Sequence, residues 1–107
     1  MSGKYERAIN ELKDAGTTQM KVFGQSMRPI IDSGSLLTFR VEKSYRKEDI
    51  VFCKVKGRFI DAHKITKVDD RKGYMIANNH GYENGWTKTI YGRVIGIDPP
   101  SELKKKV

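Results

Sequence analysis

Apolar residues recur at helical spacing near the start of the chain. Tyr5, Ala8, Ile9, Leu12 and Ala15 fall three or four residues apart, with Glu6, Arg7, Glu11 and Lys13 around them. This period predicts a helix over residues 4–15, closed by Gly16 as a C-terminal glycine. From Thr17 onward the pattern changes to short apolar or alternating runs separated by turn residues. Strands are predicted at 17–23, 36–41, 50–55, 59–68, 74–77, 86–89 and 91–97. Asp32-Ser33-Gly34-Ser35, Lys56-Gly57-Arg58 and Asp69-Asp70-Arg71-Lys72-Gly73 supply turns. Residues 42–49 read as a polar connection, 78–85 as an irregular Asn- and Gly-rich loop, and Pro99-Pro100 as a stop. One helix followed by many short strands implies a mostly β fold, a small barrel or a folded-over sheet with one N-terminal α-helix.

Length and composition narrow this picture. At 107 residues and 37% hydrophobic, the chain is expected to form one domain, 1–107, with a small core. Its parts are the helix at 4–15, a β domain at 17–97 and a basic tail at 98–107. No apolar run approaches the roughly 20 residues that span a bilayer. Residues 1–10 lack the apolar centre of a secretory signal. A soluble, cytoplasmic protein is expected, with no membrane span. Cys53 lies in the apolar run 50–55 and reads as a buried structural thiol. No Cys/His cluster has zinc spacing, so neither metal nor cofactor is expected.

The net charge of +8 raises the prior for nucleic acid, an acidic partner or an anionic membrane surface. The basic residues are nevertheless interspersed with acidic ones, except in Lys104-Lys105-Lys106, which reads as a solvated tail. Tyr74, Tyr82, Trp86 and Tyr91 have the chemistry to stack on single-stranded nucleic acid. Core and rim of a small β domain is the plainer reading, and nucleic acid is not favoured.

Candidate chemistry centres on Gly24-Gln25-Ser26-Met27-Arg28-Pro29. Gly24 permits a tight turn beside the serine, and Pro29 restricts the backbone after it. Such a loop either makes an ordinary turn or holds a hydroxyl over a sheet with backbone N–H groups nearby for an oxyanion. His63 lies in the predicted strand 59–68. Strict alternation puts Phe59, Asp61, His63, Ile65 and Lys67 on one face and Lys64 on the other, so His63 and Lys64 do not share a site. A neutral histidine near Ser26 would serve as general base and then general acid. Met27 is expected to pack below the loop or line a groove, and His80 to be an exposed loop residue.

The order of these motifs is specific. Gly-x-Ser-Met-x-Pro is followed by Ser33-Gly34-Ser35-Leu36, Glu48-Asp49-Ile50-Val51, a hairpin into Ala62-His63-Lys64-Ile65, Ala77-Asn78-Asn79, and Tyr91-Gly92-Arg93-Val94-Ile95-Gly96. Over about residues 22–97 this resembles the superfamily of signal peptidases and LexA-like repressor proteases. The resemblance implies a serine nucleophile at Ser26, with Gly24 and Met27 supporting the loop. It also implies a general base at His63, as in the histidine-type signal peptidases, and cleavage beside small residues. Gly34-Ser35 stands where the superfamily has Gly-Asp, and Glu48-Asp49-Ile50-Val51 where it has Gly-Asp-Ile-Val. The aspartate that orients the histidine in such relatives is matched here by Ala77. Glu83, the next acid along, and Asp61, beside the histidine on its strand, are the candidates to replace it.

The resulting expectation is a small serine endopeptidase with a Ser26/His63 dyad, acting on a protein or peptide substrate or on itself. Its alternative is a protease-like module that has lost efficient catalysis and binds protein, or less readily nucleic acid. Ala15-Gly16 matches the dipeptide that LexA-like proteins cleave in themselves, but it lies too near Ser26 in sequence to be favoured over a helix end.

Overall fold

The computed structural model describes residues 3–100, so Lys104-Lys105-Lys106 lies outside the described residues. Helix α1 spans Lys4–Ala15. Seven strands follow: β1 (Thr17–Lys21), β2 (Leu36–Arg40), β3 (Ile50–Val55), β4 (Arg58–Asp69), β5 (Gly73–Ala77), β6 (Glu83–Thr87) and β7 (Ile90–Asp98). They form one antiparallel sheet in the order β1-β2-β7-β3-β4-β5-β6. The fold is therefore mostly β with one N-terminal helix.

The helix ends where its apolar period ends. Gly16 adopts the left-handed conformation at φ 81°, and its N–H donates to the Leu12 carbonyl. This places Ala15-Gly16 within the helix cap. Ala8 and Leu12 are buried against the sheet, and the Thr18 hydroxyl donates to Glu11 at the junction with β1.

The sheet curls so that β6 returns to β3. The Thr87 hydroxyl donates to the Lys54 carbonyl at 2.6 Å, and the Lys54 N–H donates to Thr89 O at 3.1 Å. Two apolar clusters result. Leu37, Phe39, Phe52, Met20 and Met27 pack beneath α1, while Val51, Cys53, Val55, Ile65 and Ile76 fill the curled half. Cys53 is fully buried there, and burial pushes its thiol up to about 12.

Two details depart from the sequence expectations. The irregular loop after β5 is shorter than 78–85, because Glu83, Gly85, Trp86 and Thr87 pair with β5. The alternation along 59–67 is also broken. Val51 faces His63 while Cys53 faces Ile60, so Phe52 opposes two β4 residues, Asp61 and Ala62. This bulge shifts the faces by one. Phe59 and Ala62, three apart, join the cluster under α1, whereas Ile60 and Ile65 join the other. A second irregularity on β4 separates Ile65 from Lys67.

Gly73, which starts β5, is required by its backbone. Its φ is +93°, and an added Cβ would lie 2.4 Å from the Thr87 carbonyl oxygen. Gly73→Ala is expected to destabilise the protein by about 2–3 kcal/mol through left-handed strain and backbone displacement. Urea unfolding monitored by Trp86 fluorescence checks this; an unchanged midpoint would contradict it.

Candidate active site

The serine loop leaves β1 through Val22 and is held at both ends. The Val22 N–H donates to Ser35 O at 3.0 Å and the Gly34 N–H to Val22 O at 2.7 Å. Gly24 has φ +110°, and its N–H donates to the Ser33 hydroxyl at 3.0 Å. A side chain there would strain the turn that precedes Ser26. Met27 is buried in the core cluster and also lines the groove above it, anchoring the residue after the serine.

The loop after β5 straps the serine loop from the other side. The Asn79 N–H donates to Ser26 O at 2.9 Å, and its side-chain amide donates to Arg28 O at 2.9 Å. His80 is exposed, and its Nε2 donates to Gln25 O at 3.0 Å. The Asn78 carboxamide in turn accepts the His80 and Tyr82 N–H groups, holding the strap in shape.

Against this loop stands β4. The Ser26 Oγ lies 3.0 Å from His63 Nε2, and both side chains are half-buried. His63 Nδ1 lies 2.7 Å from Asn84 Oδ1. A carboxamide oxygen only accepts, so the proton resides on Nδ1 and the Nε2 lone pair faces the serine hydroxyl. Burial lowers the His63 pKa below its ordinary 6.5; the Asn84 hydrogen bond and the Asp61 charge oppose this less strongly. The imidazole is therefore neutral at neutral pH and has the correct tautomer to accept a proton from Ser26.

Bulges aim both groups. His63 follows the β4 bulge. Asn84 is itself the extra residue on β6: Ile76 pairs with Gly85 and Ala77 with Glu83, leaving Asn84 unpaired in the ladder between them. Its side chain turns to the imidazole.

Neither carboxylate expected behind the histidine is its partner. The Glu83 carboxylate pairs with Lys67 at 3.5 Å on the surface. Asp61 accepts from the Tyr5 hydroxyl at 2.5 Å and from Lys4 Nζ at 3.2 Å. The physical reason lies in the two bulges, which take Asp61 out of register and place Asn84 at Nδ1. Lys64 pairs with Glu48 at 3.9 Å, away from the serine, in keeping with its expected face. Asn79 stood in the Ala77-Asn78-Asn79 motif without an assigned role, and Asn84 was not among the candidates. The only signal for Asn84 was its place just after the one acid considered there.

A groove of about 420 Å³ opens over the pair. Val22, Met27, Ile31 and Ala62 give it apolar walls, with Ser26 and His63 at its polar centre. The β5 ladder begins at Lys64. Phe59–His63 therefore keep one edge without a strand partner among the described residues, and all five line the groove. No group of His, Cys, Asp or Glu suited to a metal ion occurs among the described residues. No described helix is long and apolar enough to cross a membrane.

A curled antiparallel sheet that brings a serine loop against a strand histidine is the arrangement of a peptidase-like β domain. The chain belongs to the peptidase S24-like family, whose model matches residues 4–96. No curated protein matches the sequence.

Proposed function

We propose that the protein is a serine endopeptidase in which Ser26 is the nucleophile, His63 the general base and acid, and Asn84 the residue that orients the imidazole. The observation that carries this reading is the 3.0 Å approach of Ser26 Oγ to a ring nitrogen whose opposite nitrogen is held by Asn84. Membership of a peptidase-like family supports a protein or peptide substrate.

The substrate enters as an extended strand along the free edge of Phe59–His63, contributing main-chain hydrogen bonds there. Ser26 Oγ attacks the scissile carbonyl carbon as its proton passes to His63 Nε2. The tetrahedral oxyanion is received by the Ser26 backbone N–H, supported by the turn at Gly24. His63 then returns the proton to the leaving amine, the C–N bond breaks and an acyl-serine remains. Water adds to the acyl carbon with His63 again as base, and collapse frees the acid and Ser26. The apolar walls that Val22, Met27, Ile31 and Ala62 set around Ser26 suit small apolar residues beside the scissile bond, in line with the superfamily resemblance.

Covalent capture tests the reading. A fluorophosphonate or peptidyl phosphonate is expected to label the protein at Ser26, as located by peptide mass mapping. Labelling elsewhere, or none, would reject the peptidase and leave the groove as a peptide-binding cleft.

A further inference from the structure

The groove holds one carboxylate among its described lining residues, Asp61, and that carboxylate sits in a cation box already occupied by the chain itself. We infer that Asp61 is a specificity-determining residue, selecting a peptide with a lysine or arginine side chain close to the scissile bond, and that Lys4 holds this place in the free protein. The inference rests on the peptidase reading for the position of the scissile bond.

The two oxygens of Asp61 have different partners. Oδ1 accepts from Tyr5, whose ring stacks on Phe59 with centroids 4.6 Å apart. Burial and the neighbouring Asp61 push the Tyr5 phenol up to about 12, so it remains a donor. This half of the site is fixed. Oδ2 accepts from Lys4 Nζ at 3.2 Å, and the two side chains retain 36% and 24% of their exposure. An ion pair this wet is weak and exchanges readily.

Lys4 is also poorly placed on its own helix. It is the first residue of α1, and the positive end of the helix dipole disfavours a cation there. Its ammonium lies 5.6 Å from the Tyr5 ring centroid and 5.8 Å from that of Phe23. Phe23 is 70% exposed at the groove. Carboxylate and aromatic faces together receive an ammonium or guanidinium from any source. Asp61 stands two residues from His63 on β4, with the bulge between them, a reach of at most roughly 7 Å, and both line the groove. In an extended peptide lying beside β4, that reach corresponds to a side chain about two residues from the bond held at Ser26.

The test is binding to the Ser26→Ala protein, which needs no turnover. Fluorescent alanine-rich peptides with lysine two residues to either side of the central bond are compared with their norleucine counterparts by polarisation. At least one lysine peptide is expected to bind roughly 5- to 10-fold more tightly than its counterpart. Asp61→Asn, which keeps an acceptor for Tyr5, is expected to abolish that preference. Lys4→Ala, which leaves Asp61 intact, is expected to widen it. Equal binding, no binding, a preference that survives Asp61→Asn, or one that Lys4→Ala fails to widen overturns the inference. Labelling of Ser26 in the unsubstituted protein reports the peptidase reading separately.

Discussion

His63→Ala is expected to slow covalent labelling of Ser26, and hydrolysis of any peptide substrate, by roughly 100- to 10,000-fold. Ser26→Ala is expected to remove labelling altogether. The histidine effect is large because Ser26 has no other base in hydrogen-bond reach among the described residues: Lys64 is turned to Glu48, and His80 is engaged with the Gln25 carbonyl. The pH dependence follows from the same geometry. His63 must be neutral to accept the serine proton, and burial places its pKa below 6.5. The labelling rate is therefore expected to hold at neutral pH and to fall as pH drops through that lowered pKa. Stability has the same sign. The folded state binds the His63 proton less readily than the unfolded state, so this group's contribution is present above 6.5 and lost as pH falls through the folded value. Labelling followed at a series of pH values, on the unsubstituted protein and His63→Ala, measures the rate loss and its pH dependence, and urea unfolding at the same pH values measures the stability change. An equal rate in the two proteins, or a profile with no acid limb, would remove His63 from the mechanism.

The helix and the strands were legible in the sequence because each rests on a periodic signal, and the order of the motifs named Ser26 and His63 as candidates, while their 3.0 Å approach is seen only in the fold. The helical spacing of Tyr5, Ala8, Leu12 and Ala15, stopped by Gly16, is a local property of the chain. The hairpin over Lys56-Gly57-Arg58 is local too: Lys56 and Gly57 both have positive φ, as a tight turn between antiparallel strands requires. What was not legible depends on β-bulges. A bulge inserts one residue on one strand and changes every facing relation beyond it, yet it leaves no periodic trace. The β4 bulge moved Asp61 from beside the histidine to a site facing Tyr5 and Lys4. Pairing with β5 made a strand of residues 83–85, expected as loop, and the β6 bulge directed Asn84 to the imidazole. Alternation also treats a side chain's partner as a matter of its own strand. At this site the partners of His63 come from the serine loop and from β6, on opposite sides of the ring.

The amide at Nδ1 gives the second large effect, because an amide orients the histidine without sharing its charge. In the proposed attack the imidazole would become an imidazolium, and a carboxylate behind it would stabilise that cation where Asn84 offers only a dipole. Asn84→Asp keeps the acceptor and the tautomer while adding the charge. It is expected to raise the labelling rate at neutral pH on the order of 10-fold, and to move the acid limb to higher pH because the protonated ring is now favoured. Asn84→Leu removes the acceptor and strands a part-buried N–H. Leaving that donor unpaired costs about 1–3 kcal/mol, which corresponds to a rate loss of roughly 5- to 150-fold where the cost falls on the transition state. The two substitutions thus act in opposite directions at one position. Asp and Leu variants that change the rate equally would reduce Asn84 to a packing residue. An Asp variant whose rate rises while its acid limb stays in place would separate Asn84 from the titration of His63. The expected pair of results, faster labelling with a higher acid limb and slower labelling with no acceptor, requires the hydrogen bond from Nδ1 to Oδ1. In the proposed reaction a histidine without a carboxylate partner would still serve as base, because Asn84 sets the tautomer and burial favours the neutral ring.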